Sequence, residues 1–190
     1  MADKPQTNLN QYQNDWYNPG AGPIKRLFWF FINAIIIQAK WIPSSGIRVF
    51  FMKRFGANIG QNVVIRPGVN IKYPWNITID SNVWVGENAW LDSLDKINIA
   101  SHCCISQGAY LCTGNHDWTD PAFGLIIKPI TLEQGAWVGA KATVLPGITI
   151  HQHAILTAGS VATKDLPEYQ ICQGNPATPI KERIIKSPEA

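Results

Sequence analysis

Aliphatic residues recur every six positions along most of the chain after residue 58. The recurrence shifts by two residues twice, and it is interrupted between residues 112 and 131 before it resumes. A six-residue period matches neither the period of a helix nor the two-residue alternation of a simple strand. The recurring positions are Ile59, Ile65, Ile71, Ile77, Ile79, Val85, Leu91, Ile97, Ile99, Ile105, Leu111, Leu132, Val138, Val144, Ile150, Leu156 and Ala162.

A second set of small or β-branched residues follows many of these aliphatics four positions later. Its members are Val63, Val69, Val83, Ala89, Cys103, Ala109, Ala136, Ala142, Ala154 and Ser160. The two sets together predict a solenoid in which each hexapeptide forms one short strand and a turn. Three hexapeptides then complete a triangular coil, with the aliphatics pointing inward and the small residues filling the tight corners. The two-residue shifts are predicted to be small insertions at corners.

The solenoid predicted by this period covers residues 57–166, with an inserted loop near residues 113–131. Residues 1–56 precede it. They begin with a polar stretch that is predicted to be a loose arm. Pro19-Gly20 and Gly22-Pro23 mark the end of this arm. Two helices are predicted to follow, one from Ile24 to about Trp41 and one from Arg48 to Phe55.

Residues 167–190 leave the six-residue period and form a predicted C-terminal tail. Turns are expected at its start, and Ile180 to Lys186 is predicted to be a short helix. The last coil of a solenoid has an unpaired strand edge that needs a cover. We therefore expect this helix to cap the open end.

Composition narrows the class of protein only modestly. The net charge is +3 and the charges are scattered, which does not favour nucleic acid as a partner. The four cysteines have no metal-binding spacing, so no metal site is expected. The first twenty residues are polar and do not resemble a secretory signal, so we expect a cytoplasmic protein with free thiols.

The stretch from Leu27 to Ile37 is apolar except for Asn33. It is shorter than the roughly 20 apolar residues that cross a bilayer. Basic residues flank it on both sides. The favoured interpretation is a helix that docks on the protein. The alternative is a helix lying on a membrane surface, which would make the protein peripherally membrane-associated.

A histidine stands where the six-residue period is interrupted. His116 lies in the sequence Thr-Gly-Asn-His-Asp, so a regular scaffold presents a titratable side chain on an insertion. Histidine is suited to act as a general base near neutral pH. Cys112 lies four residues earlier, but no other residue completes a Cys–His dyad with it, so a cysteine nucleophile is not favoured.

Four further stretches carry a resemblance to a known family. They are Thr113–Asp117, Gly135–Ala140, Gly159–Asp165 and Gly174–Ala177. With the six-residue period they resemble the left-handed parallel β-helix, or hexapeptide-repeat, acyltransferases. The resemblance is closest to the colanic-acid and exopolysaccharide O-acetyltransferases, relatives of the galactoside, maltose and nodulation-factor acetyltransferases. Stretches similar to that subgroup are Lys72–Trp75, Cys104–Gly114 and Asp120–Phe123.

The resemblance implies acetyl-CoA as the donor and a saccharide as the acceptor. It implies that His116 takes the proton of the acceptor hydroxyl and that the alkoxide attacks the thioester directly. Asp117 is a candidate to orient the imidazole, although adjacent side chains need not face each other. Asn88 and Asp92 are candidates for binding the acceptor, and Asp92 is an alternative partner for His116.

The resemblance also implies a set of residues for coenzyme A. A backbone N–H near Gly139 and Ala140 matches the family's oxyanion donor, and Trp137 matches a tryptophan that packs on the pantetheine arm. The remaining candidates are Ala158, Thr163, Lys164, Lys181 and Arg183. The family's enzymes often carry an arginine at the position of Thr178, and Lys181 and Arg183 would take its place. The family's enzymes are homotrimers with the site between two subunits, so a homotrimer is expected.

Three other functions compete with that of a sugar O-acetyltransferase. A carbonic anhydrase of the same fold needs a second zinc histidine on the loop of His116, and none is present. An N-acetyltransferase acting on an amino-sugar nucleotide stays open as an alternative. A non-catalytic scaffold subunit is the third, and the His–Asp stretch argues against it.

Overall fold

The computed structural model describes residues 4–186 and shows a parallel β-solenoid preceded by two helices. Residues 1–3 of the predicted arm and residues 187–190 of the predicted tail lie outside the described residues. Helix α1 (Pro23–Ile32) continues into a π-helical turn (Asn33–Ile37), and helix α2 (Ser45–Arg54) follows. Both helices were predicted, but α2 begins three residues early because Ser44 Oγ accepts a hydrogen bond from the Ile47 N–H.

The solenoid strands form three sheets, one for each side of the coil. The first contains β1 (Asn58–Ile59), β4 (Ile77–Ile79), β7 (Ile97–Ile99), β12 (Ile130–Leu132) and β15 (Thr149–Ile150). The second contains β2 (Val64–Ile65), β5 (Trp84–Val85), β8 (Cys104–Ile105), β13 (Trp137–Val138) and β16 (Ile155–Leu156). The third contains β3 (Asn70–Ile71), β6 (Trp90–Asp92), β9 (Tyr110–Cys112), β14 (Thr143–Val144) and β17 (Val161–Ala162). All pairings within these sets are parallel.

The core of the solenoid consists of the residues that the six-residue period selects. All of the recurring aliphatics are buried, and so are the small residues four positions later, except Val63, which is half-buried. Removing a side chain such as Ile or Leu from water stabilises a fold by roughly 1.5–3 kcal/mol. The predicted coil is therefore confirmed, and its stability comes from columns of aliphatic side chains shared between coils.

The corner between the second and third sheets is a stack of left-handed turns. Its positive-φ residues are Gly68, Asn88, Gly108, Lys141 and Gly159. Each backbone N–H after the first bonds a carbonyl of the preceding coil, as in Asn88 to Pro67 at 3.2 Å and Gly159 to Ala140 at 2.9 Å. This ladder of turns fixes the position of the backbone along that corner.

The C-terminal tail differs from its prediction. The predicted helix from Ile180 to Lys186 is wrong, because the chain instead forms strands β18 (Gln170–Gly174) and β19 (Ala177–Glu182). Strand β18 extends the second sheet by pairing with β16, and β19 returns antiparallel as the outer strand. Pro179, which has no N–H to donate, is tolerated on such an edge strand. The predicted need for a cover holds, but a hairpin provides it.

The interruption near residues 113–131 is a hairpin rather than an irregular loop. Strands β10 (Gly114–His116) and β11 (Leu125–Ile127) pair antiparallel, with His116 opposite Leu125. The chain then returns to the first sheet at β12, which pairs with β7 in register. The insertion therefore extends outward from the corner between the third and first sheets without disturbing the stack.

The N-terminal arm was predicted to be loose, but its described part is docked on this corner. The Asn8 N–H donates to the Pro121 carbonyl at 2.7 Å, and the Tyr17 hydroxyl donates to the Leu94 carbonyl at 2.9 Å. The Trp75 indole donates to the Pro19 carbonyl at 2.6 Å. These three bonds connect the arm to the inserted hairpin and to two coils.

Helix α1 docks on the solenoid through Trp29, which is buried and donates its indole N–H to the Ile71 carbonyl at 3.0 Å. The docking helix favoured from sequence is thus observed. Its opposite face remains exposed, with Leu27, Phe28 and Phe31 all more than half accessible. Within residues 4–186 no helix has both the length and the apolar character needed to cross a bilayer.

The close stacking of coils generates a prediction at Gly139. A Cβ added there would lie 2.5 Å from the Ala158 nitrogen and 2.8 Å from the Leu156 carbonyl oxygen, both of which are backbone atoms that cannot move aside. Gly139→Ala is expected to lower the free energy of unfolding by roughly 1–3 kcal/mol, as overpacked cores do. Denaturant titration followed by circular dichroism measures the change.

Gly46→Ala is the matched control, because in α2 the added Cβ meets only Ser44 Oγ at 3.7 Å. A glycine-to-alanine change in a helix stabilises by roughly 0.5–1 kcal/mol. If Gly139→Ala lowers the free energy of unfolding no more than Gly46→Ala does, the observed spacing of the coils is contradicted.

Candidate active site

His116 lies at the end of β10 and is half-buried. Its Nδ1 is 2.8 Å from the carbonyl oxygen of Phe123, and the two rings stack with centroids 4.6 Å apart at an interplanar angle of 14°. A carbonyl oxygen only accepts hydrogen bonds, so Nδ1 carries the hydrogen. In the neutral imidazole Nε2 is then the nitrogen with a free lone pair, as a general base requires.

The Phe123 carbonyl is held in place by Asp120. The Asp120 carboxylate accepts hydrogen bonds from Ala122 N at 2.9 Å and Gly124 N at 3.1 Å. Phe123 itself has a φ of +57°, which a residue with a large side chain rarely adopts, and its N–H bonds the Asp120 carbonyl at 2.9 Å. Backbone strain of this kind is concentrated at functional sites. The sequence singled out Asp120–Phe123 only as a stretch similar to a subgroup and assigned it no role.

Asp117, the predicted partner of the imidazole, bonds elsewhere in this structure. One carboxylate oxygen accepts from the Thr119 N–H at 2.8 Å and from the Thr119 hydroxyl at 2.6 Å. These hydrogen bonds lower the pKa of Asp117 below its ordinary value. The charge of Asp117 therefore stabilises the turn at the tip of the hairpin.

A cavity of about 370 Å³ opens beside His116. Its wall includes residues of the docked arm, and the ring of Tyr12 lies 5.8 Å from the imidazole, centroid to centroid. The residues lining the cavity are Tyr12, Asn14, Tyr17, Pro19, Arg26, Lys72, Tyr73, Leu94, His116 and Leu125. None of the arm residues was identified from the sequence, because nothing local shows where the arm docks.

Asp92 reaches the same corner as His116. It ends β6 and pairs with Cys112, which ends β9 just before the hairpin. Its carboxylate accepts a hydrogen bond from the Tyr110 hydroxyl at 3.2 Å. Burial raises the pKa of Asp92, while this hydrogen bond and the charge of Lys72 oppose the shift. Asp92 thus lies near this corner, but it is not among the residues that line the cavity beside His116.

Asn88 lies at a different corner from His116. It is exposed at the start of β6, in the left-handed turn between the second and third sheets, with a φ of +58°. Asp92 and Asn88 therefore occupy opposite ends of one strand, and a single chain does not bring both to His116.

The coenzyme A candidates lie mostly beside the corner that contains Asn88. Trp137 is exposed on the second sheet and donates its indole N–H to Ser106 Oγ at 2.8 Å. The Gly139 N–H donates to the Leu156 carbonyl at 2.7 Å and is occupied by the coil. The Ala140 N–H has no acceptor within residues 4–186, and Ala158 occupies the equivalent exposed position in the next coil. Of the two predicted oxyanion donors, Ala140 is the one with a free N–H.

The basic candidates are dispersed. Thr163 and Lys164 are exposed just after β17, and Lys181 is exposed on β19. Arg183 is engaged in the chain itself, because its Nη1 donates to the carbonyls of Gly135 and His153, both at 3.0 Å. In the structure Arg183 therefore fastens the terminal hairpin to a corner of the solenoid.

Cysteine and metal chemistry find no site in the described part of the chain. Residues 4–186 contain no group of three or more potential metal ligands. All four thiols are free, and burial raises the pKa of Cys103 to about 11. The Cys112 thiol donates to the Gly114 carbonyl at 2.9 Å.

The chain is similar in sequence to known acetyltransferases. The chain is 40% identical over 167 residues to the colanic acid biosynthesis acetyltransferase WcaF of Escherichia coli, covering 87% of this chain and 91% of that protein. It is 28% identical to the galactoside O-acetyltransferase of Escherichia coli, over 71% of this chain and 68% of that one. The chain therefore belongs to the acetyltransferase family that includes WcaF.

Solved structures support the same fold. A hexapeptide-repeat acetyltransferase of Vibrio cholerae matches 86% of this chain and 94% of its own with a TM-score of 0.77 and 21% identity. The same enzyme complexed with acetyl-CoA matches with a TM-score of 0.78 and 19% identity, over 88% of this chain and 93% of that one. These similarities confirm the left-handed parallel β-helix predicted from the sequence. No family model matches the chain.

The position of Arg183 generates a prediction that separates a structural role from a role in binding. Arg183→Gln removes two hydrogen bonds from a charged donor and is expected to lower the free energy of unfolding by roughly 2–4 kcal/mol. The Michaelis constant for acetyl-CoA should stay within about twofold of wild type. Thermal unfolding and steady-state kinetics measure the two effects.

Lys181→Gln is the matched control, because its side chain is exposed near the end of β19, two residues before Arg183. It should leave unfolding unchanged. A large rise in the Michaelis constant for acetyl-CoA in Arg183→Gln, without loss of stability, would contradict the structural role.

Proposed function

We propose that the protein is an acetyl-CoA-dependent O-acetyltransferase that acetylates a hydroxyl of a saccharide. The observation that carries the proposal is the hydrogen bond between His116 Nδ1 and the Phe123 carbonyl, which leaves Nε2 as the basic nitrogen. The family relationship to WcaF and to a galactoside O-acetyltransferase supports acetyl transfer to a sugar in exopolysaccharide synthesis.

The reaction proceeds by direct transfer. His116 Nε2 takes the proton of the acceptor hydroxyl as its oxygen attacks the carbonyl carbon of the thioester. The carbon–sulfur bond then breaks, and the thiolate leaves with the proton returned by the imidazolium. The acetyl ester and free coenzyme A are the products, so atoms and charge balance without a covalent enzyme intermediate.

The negative charge that develops on the thioester oxygen needs a hydrogen-bond donor. The free Ala140 N–H supplies it, and Trp137 offers an exposed indole surface for the pantetheine arm. Ala158 continues this binding surface in the next coil. Thr163 and Lys164, at the corner after β17, and Lys181, on β19, are assigned as further contacts for coenzyme A. Asp92 contacts the acceptor.

The arrangement of these groups favours a homotrimer. Within one chain His116 lies at the corner between the third and first sheets, whereas Ala140 lies at the corner between the second and third. One subunit therefore supplies the base and its neighbour the donor-binding corner, so that the site forms in the cleft between them. Asn88 would reach the acceptor from that neighbour.

The base is tested by replacing His116. His116→Ala is expected to lower kcat for sugar-dependent thiol release from acetyl-CoA by roughly 10² or more, the usual contribution of general-base catalysis. His151→Ala is the matched control, because the His151 side chain pairs with Glu133 at 3.3 Å on another corner. A panel of mono- and oligosaccharides serves as acceptors, and a thiol reagent reports release.

Each outcome of this assay has a distinct meaning. Release that needs a sugar and survives His116→Ala would overturn the mechanism while leaving the transferase in place. Absence of coenzyme A binding by wild type would instead favour a scaffold subunit. Release driven only by amino sugars would favour N-acetylation.

We further propose that the protein is cytoplasmic and binds membranes peripherally through the stretch Leu27–Ile37. Residues 16–79 contain eight lysines and arginines and no aspartate or glutamate. The exposed face of α1 and its continuation adds Leu27, Phe28, Phe31 and Ile35, each more than 50% accessible. Apolar side chains beside basic ones are typical of helices that lie on anionic bilayers.

This contact is tested by co-sedimentation with vesicles. Wild type should sediment with vesicles containing anionic lipid more than with neutral vesicles, and Phe28→Ser with Phe31→Ser should abolish the difference. Ile184→Ser is the control, because Ile184 is 84% exposed far from α1. Equal sedimentation of the double variant and the control would contradict the proposal.

A further inference from the structure

We infer that the acceptor saccharide carries a negatively charged group, a phosphate or a carboxylate, which Arg26 and Lys72 bind in a groove beside His116. This inference rests on the proposed function and names the chemical class of its acceptor. It also assigns a binding role to the N-terminal segment, because Arg26 belongs to the first turn of α1.

The groove consists of two adjoining cavities. The cavity beside His116 has a volume of about 370 Å³, and a second cavity of about 380 Å³ lies along the third sheet. Arg26, Lys72 and Tyr73 line both. The two cavities therefore adjoin at these three side chains, and His116 lines the first cavity together with both cationic residues.

Among residues 4–186 the cations in the groove form no salt bridge, and Lys72 Nζ lies 5.9 Å from the centroid of the Tyr73 ring. Arg26 Nε is buried and has no hydrogen-bond partner among residues 4–186. Among residues 4–186 the ion pair is that of His151 with Glu133, so neither Arg26 nor Lys72 forms an ion pair there. A buried guanidinium N–H without an acceptor costs free energy that a bound oxyanion recovers, and Arg and Lys are the side chains that bind phosphate and carboxylate.

No aspartate or glutamate is among the residues that line the two cavities. Asp92 interacts electrostatically with Lys72 but lines neither cavity, and its carboxylate accepts the hydrogen bond of the Tyr110 hydroxyl. The groove therefore retains a positive field toward a ligand.

The rest of the groove has the chemistry of a sugar site. Tyr73 stacks on Trp75 with centroids 5.0 Å apart, and Trp90 stacks on Tyr110 at 4.7 Å, so each presents a fixed aromatic surface. In the second cavity the Gln38 amide nitrogen donates to Asn70 Oδ1 at 3.3 Å. Aromatic walls with a few fixed polar groups are typical of small-molecule sites. A reacting hydroxyl at His116 and an anionic group at Arg26 fit one ligand lying along the groove.

The test compares matched acceptors in the thiol-release assay. Glucose, glucose 1-phosphate and glucuronate form one set, and galactose, galactose 1-phosphate and galacturonate form another. At least one anionic member should have a kcat/KM roughly tenfold or more above its neutral parent, as a charge-assisted contact provides. Preference for phosphate or for carboxylate then identifies the group.

Arg26→Gln and Lys72→Met should each raise KM for the anionic acceptor by roughly tenfold. They should leave KM for acetyl-CoA unchanged. Arg26→Lys, which keeps the charge, should recover part of the loss. Arg54→Gln and Lys53→Met are the matched controls, because both residues are exposed on α2. Thermal unfolding verifies that every variant folds.

Three results would overturn the inference. They are equal kcat/KM for anionic and neutral acceptors, variants that behave like the controls, and a rise in KM for acetyl-CoA instead of the acceptor. A separate measurement does not depend on acetyl transfer. Calorimetry without acetyl-CoA measures the binding of glucose 1-phosphate and glucuronate to wild type and to Arg26→Gln. Binding that Arg26→Gln weakens, without thiol release from any saccharide, would retain the anionic site and overturn only the proposed function.

Discussion

No coil of this solenoid can bury its own aliphatic side chains, because each inward residue is covered by the coils before and after it. Ile105, for example, is fully buried on β8 between β5 and β13. This mutual dependence requires every coil to keep the same register on all three sides. Insertions are consequently restricted to the corners. The hairpin that contains His116 obeys this constraint, since it leaves after β9 and the chain resumes pairing at β12.

The rigid stack also explains how the site is assembled. The solenoid provides a fixed corner, and three segments are fastened to it: the hairpin, the N-terminal arm and helix α1. Within the hairpin, Asp120 shapes the turn whose Phe123 carbonyl selects the tautomer of His116. A backbone carbonyl thus has the orienting role that a carboxylate has in many catalytic triads. The arm and α1 then add Tyr12 and Arg26 to the Lys72 and Tyr73 that the solenoid itself supplies at this cavity.

The six-residue period predicted the coil and nearly all of its core, because burial in a solenoid depends on local sequence order. The site was predicted less completely. His116 is revealed by its position at an interruption, but the partner of its imidazole depends on a turn seven residues away. Arg26 and Tyr12 reach the site through docking of distant segments, which no local pattern encodes. Arg183 and the terminal hairpin show the same limit, because Ile180–Lys186 has an apolar spacing that suits a helix until pairing with β18 is available.

The tautomer of His116 is the physical basis of the proposed catalysis, and nitrogen-15 nuclear magnetic resonance of the imidazole side chains measures it most directly. The chain has four histidines, so the His116→Gln variant assigns the signal. The account predicts that the neutral imidazole carries its hydrogen on Nδ1 and leaves Nε2 free. A neutral ring with hydrogen on Nε2 would contradict the contact with Phe123 and the role of His116 as the base.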